Sequence, residues 1–81
     1  MTVASNQSSL AYRPLSRREK ECLFWAAHGK SSSDIAAIIG LSSRTVDSYV
    51  GKACSKLGVR TRVEAIAVGI RHGVIDLDAS F

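Results

Sequence analysis

Between Arg44 and Arg62 the chain carries five cations, Arg44, Lys52, Lys56, Arg60 and Arg62, against one acid, Asp47. Thr45 and Ser48 lie among them. Guanidinium and ammonium groups supply charge-assisted hydrogen bonds to phosphate, and hydroxyls add shorter-range positioning. This is the chemistry of holding a polyanion. Nothing comparable points to catalysis. His28 and His72 stand at the expected ends of helices, where the dipole favours a cation, and the sequence implies no Ser, Cys or carboxylate partner for either. Cys22 and Cys54 sit in or beside apolar runs. Two cysteines without neighbouring histidines do not complete a metal site, so they read as reduced thiols acting as small hydrophobes. The expectation is a binding protein with no enzymatic activity, metal or cofactor.

These groups need a scaffold, and the pattern around them supplies one. Over Leu41 to Val59, the residues Val46, Val50, Ala53 and Leu57 recur at helical spacing, with Ser42 as a start signal and Gly58 as a stop. The opposite face carries Arg44, Asp47, Ser48, Gly51, Lys52, Ser55 and Lys56. Upstream, Ser16 and Glu19 have capping-box spacing and start a helix that runs to Gly29, with Leu23, Ala26 and Ala27 as its core stripe. Ser31 and Asp34 start a shorter one through Ile35, Ala36, Ile38 and Ile39 to Gly40. Thr61 and Glu64 start the last, which ends at Gly73. Four helices on short connections and no strand pattern give an all-α bundle.

In the last helix, Val63, Ile66, Ala67 and Ile70 form the expected inward stripe. A second stripe, Ala65, Val68, Gly69 and His72, lies on another face; either the helix is central and this side packs in the core, or its small residues serve a close approach by a second copy of the chain. The Ser-rich stretch 1–14, closed by Pro14, reads as a disordered leader or linker. Residues 15–77 form the folded domain and 78–81 a tail.

With 81 residues there is room for one small domain and a modest core. The formal charge is +4, from 11 basic against 7 acidic residues, and the segment from Arg44 to Arg62 alone accounts for a net +4. A basic segment in a nearly neutral remainder points to a polyanionic partner. No apolar run approaches the ~20 residues needed to cross a bilayer, and residues 1–9 lack the charge and apolar core of a secretion signal. A cytoplasmic protein with no membrane partner is expected.

A short helix from Ser32 to Ile39, a turn at Gly40 to Ser42 and a second helix from Ser43 to Leu57 make a helix-turn-helix. The residues go further than the pattern. L-S-x-R-E-x-E-x-L-x-W-x-A-x-G-K-S from Leu15, I-A-x-I-x-G-L-S-x-x-T-V-x-x-Y from Ile35, and K-L-G-V-x-x-R-x-x-A-x-A from Lys56 together resemble the LuxR-type (GerE-like) DNA-binding domain. The resemblance runs from Leu15 to Ile75. It implies a four-helix tetrahelical domain that regulates transcription, dimerises through its last helix and binds a two-fold-related site in double-stranded DNA. It implies a structural role for Glu19 and core roles for Leu23, Ile35, Ala36, Leu41, Val46, Val50 and Leu57. Thr45 and Lys56 match positions that lie against backbone phosphate. Trp25 with Gly29, Lys30 and Ser31 looks more like the acyl-homoserine-lactone-responsive, quorum-sensing branch than the two-component branch.

The departures from the family pattern fall on the reading face. Where a Lys or Arg often follows T-V, this chain has Asp47; one turn later it has Gly51. Tyr49 replaces the usual His, and Lys52 the usual Asn. An aspartate facing the groove can accept from a cytosine amino group but repels phosphate. The DNA-binding set expected is therefore Arg44, Thr45, Asp47, Ser48, Lys52, Lys56 and Arg60, with Ala65, Val68, Gly69 and His72 as the dimer contact. RNA polymerase is a further expected partner. An alternative stays open, in which the chain keeps the fold, reads bases poorly, and pairs as an anti-activator with a larger homologue. Whether it is a whole regulator or the output domain of a longer one stays open as well.

Overall fold

The structure is a computed structural model, and it describes residues 15–78. The expected leader at 1–14 and the end of the tail, 79–81, lie outside the described residues. Four helices follow one another: α1 (Arg17–Ala27), α2 (Ser32–Ile39), α3 (Ser43–Leu57) and α4 (Arg62–Arg71). No strand occurs among the described residues.

The helix starts are set by side chains. Ser16, Ser31 and Thr61 each accept a hydrogen bond from the backbone N–H three residues on, and Glu19, Asp34 and Glu64 accept from the cap N–H in return. At α3 the Ser42 hydroxyl accepts from the Thr45 N–H at 3.1 Å and donates to the Thr45 hydroxyl at 2.9 Å. Two orphan donors are satisfied at each boxed terminus, a stabilisation of about 1 kcal/mol per cap. Helices α2 and α3 end at Gly40 and Gly58, both at φ 72°, the left-handed conformation that a Cβ disfavours.

Helix α3 packs against all three of the others. Its buried stripe, Val46, Val50, Ala53 and Leu57, meets Cys22 and Leu23 of α1, Ile35 and Ala36 of α2 and Ala65 of α4 in one core. Leu23, Ile35, Val46 and Cys22 are its largest fully enclosed side chains. Truncating Leu23 or Ile35 to Ala costs about 2–5 kcal/mol, because the cavity collapses only in part. Both cysteines are free and buried, and burial pushes both thiols above their ordinary value.

The inward face of α4 differs from the sequence expectation. Ala65 is 0 % exposed and belongs to the core, and Gly69 is buried beside it. Val63 is 74 % exposed and Ile70 42 %, with Ala67 also exposed and Ile66 half-buried. The physical reason is distance. Small residues on the packed side let α4 lie close to its neighbours, and the larger aliphatic side chains are left outside. After α4 the chain turns back: Val74 and Ile75 N–H both donate to the Gly69 carbonyl, at 2.8 and 3.0 Å. Ile75 is thereby laid over Gly69, where an added Cβ would fall 2.6 Å from Ile75 Cδ1. His28 fixes the end of this return, with Nδ1 2.8 Å from the Phe24 carbonyl and Nε2 3.1 Å from that of Leu77.

Candidate nucleic-acid interface

With its apolar stripe committed to the core, α3 turns Arg44, Asp47, Ser48, Gly51, Lys52 and Ser55 to solvent. Thr45 is half-buried at the first turn, fastened to Ser42. The Lys52 ammonium lies 5.7 Å from the centre of the Tyr49 ring, near enough for a modest cation–π attraction that keeps the side chain along the helix face. Arg60, exposed in the connection to α4, gives its backbone N–H to Glu64 Oε1 at 3.1 Å. Among the described residues, Arg44, Lys52 and Arg60 have no ion-pair partner. The exposed start of α3, its middle and the loop beyond it therefore carry uncompensated positive charge.

The other expected contacts are drawn into the fold. Lys56 Nζ donates to Glu19 Oε1 at 2.8 Å, bridging α3 to the first turn of α1. Glu19 is 3 % exposed and also accepts from the Ser16 N–H. Burial raises the Glu19 carboxyl pKa, but the hydrogen bond from Lys56, the one from the Ser16 backbone and the Lys56 charge together outweigh it and leave the pKa lowered. A buried carboxylate needs such a partner, so Lys56 is placed as the counter-ion of Glu19 rather than as a cation held out toward phosphate.

Asp47 is likewise engaged. Its Oδ1 accepts a hydrogen bond from the Ser32 hydroxyl of α2. Ser32 Oγ in turn accepts from both terminal nitrogens of Arg62, each at 3.3 Å. Ser32 was marked in the sequence only as the start of a helix. Its link to Asp47 spans 15 residues and a tight turn, and periodicity carries no signal for a contact of that kind. A second cross-link, between the hydroxyls of Ser33 and Ser43 at 3.3 Å, ties the same two helices at their starts.

Of the four residues expected at a dimer contact, Ala65 and Gly69 are buried within the fold, Val68 is half-buried, and His72 is exposed at the end of α4. Ala65 and Gly69 are thus closed to a partner by the fold's own packing; the exposed apolar residues of this helix are Val63, Ala67 and Ile70, while Ile66 packs partly against the core.

A short bracing helix, a three-residue turn and a longer helix with a cationic outer face define a helix-turn-helix domain. The chain belongs to the family of bacterial regulatory proteins described as the luxR family, whose profile matches residues 13–68. This is a family of regulators and not of enzymes. The chain is 43 % identical over 76 residues to the transcriptional activator protein LuxR of Aliivibrio fischeri, covering 94 % of this chain and 29 % of that one. It is 48 % identical over 62 residues to VanR of Vibrio anguillarum, 76 % of this chain and 26 % of the relative. With AhyR of Aeromonas hydrophila the identity is 44 % over 61 residues, 75 % of this chain and 24 % of the relative. The chain thus spans about a quarter of the length of these relatives. The solved structure of the transcription factor GerE superposes with a TM-score of 0.74 at 33 % identity, covering 79 % of this chain and 96 % of that one. No helix among the described residues is long and apolar enough to cross a membrane.

Proposed function

We propose that this domain binds double-stranded DNA and regulates transcription, with α3 entering the major groove by its N-terminal end while α2 braces it across the backbone. The observation that carries the reading is the set of three cations without internal counter-ions, Arg44, Lys52 and Arg60, on and just beyond one exposed helix face. Thr45 and Ser48 add hydroxyls to that face. The relatives named as transcriptional activators favour activation, carried out in the cytoplasm with RNA polymerase as a partner. A second copy pairs through the exposed Val63, Ala67 and Ile70 of α4. Two-fold symmetry then requires half-sites about 10 bp apart.

The test is salt dependence. Each phosphate neutralised contributes about 0.9 log units of affinity per log unit of salt, so three cations per protomer give a slope of about 2.7, doubled in a dimer. Lys52→Ala is expected to lower the slope by about 0.9 per protomer. An unchanged slope refutes this docking. If the chain shows no affinity for generic duplex at low salt but forms stable heterodimers with a longer homologue, the alternative of an interaction protein replaces this one.

A further inference from the structure

We infer that Asp47 is a positioning residue and not a base reader: through the Ser32 hydroxyl it holds the Arg62 guanidinium against the fold and withholds that cation from DNA phosphate. The inference rests on the DNA-binding reading above and changes what its most unusual residue does.

Three helices meet at this point. Asp47 lies near the start of α3, Ser32 is the first residue of α2, and Arg62 is the first of α4. A serine hydroxyl has one proton to give and lone pairs to receive with. Here the proton goes to the Asp47 carboxylate, and the oxygen receives from Arg62 Nη1 and Nη2. The relay runs in one direction, from cation through hydroxyl to anion, so each bond polarises the next. Arg62 is half-buried, and its Nε is buried without a hydrogen-bond partner. What holds this guanidinium in place is therefore its two bonds to Ser32 and the negative charge of Asp47 behind them.

This accounts for an acid on a face that is otherwise cationic. Asp47 is the counter-ion of a cation that belongs to another helix, and the pair brings no net charge to the groove. Its Oδ1 is occupied by the Ser32 hydroxyl of α2. The cost of removing it is a loosened joint between α2, α3 and α4. The consequence of removing it is one additional mobile cation beside the phosphate backbone.

The experiment uses the full chain and five proteins: wild type, Asp47→Ala, Asp47→Asn, Arg62→Met and the Asp47→Ala/Arg62→Met double variant. Each is titrated with a generic duplex across a salt series, and each is run through selection from random duplexes. Asp47→Ala is expected to bind generic duplex more tightly, with a slope steeper by about 0.9 per protomer. That gain is expected to vanish in the Arg62→Met background, while base preference stays the same at every position. Asp47→Asn keeps an acceptor for Ser32 and carries the same charge test if the alanine variant fails to fold. A changed preference at one base pair in the Asp47 variants overturns the inference, because Asp47 then reads that base. So does a steeper slope that survives in the Arg62→Met background. If wild type does not bind duplex at all, the DNA-binding reading fails, and the relay is judged without DNA. Urea midpoints of Ser32→Ala, Asp47→Ala and their double variant are then expected to be non-additive, and strict additivity overturns it.

Discussion

Replacing Lys56 by Ala leaves the Glu19 carboxylate 3 % exposed and without its cation. Removing one partner of a buried ion pair costs about 3–5 kcal/mol, because the remaining charge is neither solvated nor paired. The Lys56 side chain is 25 % exposed, so water reaches part of the vacated space, and a loss of about 2–4 kcal/mol is the reasoned figure. A domain of this length is stable by about 4–12 kcal/mol in total, which makes this a large fraction. With a urea slope of about 1–2 kcal/mol/M for so small a protein, the midpoint falls by about 2 M. Trp25, the single tryptophan, packs edge-on against Phe24 in α1 with ring centres 5.1 Å apart and reports the transition by fluorescence.

The pH dependence follows from the same pair. The carboxyl pKa of Glu19 is lower in the folded chain than in the unfolded one. Its contribution is therefore fully present above the unfolded carboxylate value of about 4.3 and is lost as pH falls through the folded value. Glu19→Gln removes that part of the acid limb. Unfolding of Lys56→Ala at the wild-type midpoint, together with a flattened salt slope for DNA, rules out this role of the ion pair, since Lys56 then serves phosphate and not Glu19.

Gly51 is exposed in mid-α3, and a Cβ there meets nothing within 4 Å. Gly51→Ala is expected to stabilise the fold by about 0.5–1 kcal/mol in urea unfolding; a simultaneous loss of DNA affinity means that the backbone there lies close against DNA. Ile70→Glu places a charge on the outward face of α4. It is expected to leave the unfolding transition of the monomer within about 0.5 kcal/mol and to abolish self-association in sedimentation equilibrium. Gly69→Ala drives a Cβ into Ile75 and is expected to destabilise by overpacking, an effect of about 1–3 kcal/mol before the gain in helix propensity. In an Ile75→Ala background, which lacks both the Cδ1 atom 2.6 Å away and the Cγ1 atom 2.9 Å away, the same change is expected to be at least neutral in thermal unfolding.

The helices and their ends were legible because their signals are local. Ser16 with Glu19, Ser31 with Asp34, and Thr61 with Glu64 are three residues apart, and each pair forms the expected reciprocal bonds. The stripe of Val46, Val50, Ala53 and Leu57 was legible for the same reason, and all four are buried. The orientation of α4 was not. Two apolar stripes compete on that helix, and periodicity alone does not rank them; close packing puts Ala65 and Gly69 inside. The partners of Asp47 and Lys56 were not legible either. Ser32 and Glu19 lie 15 and 37 residues away, and a face drawn from one helix cannot show which of its charges another helix has claimed.

Helix α3 carries the candidate contact face and also packs against each of the other three helices. Its back is the centre of the core, so its tilt is fixed by Val46, Val50, Ala53 and Leu57, whatever stands in front. The outward positions 44, 48, 51, 52 and 55 have little part in that packing. Substitution at those five places can change what such a domain prefers without disturbing how it folds, whereas position 47 is bound up with two other helices. On the DNA-binding function proposed here, new operators are reached along one side of a single helix, whereas a change at Asp47 also takes away the acceptor of the Ser32 hydroxyl, which Arg62 in turn contacts.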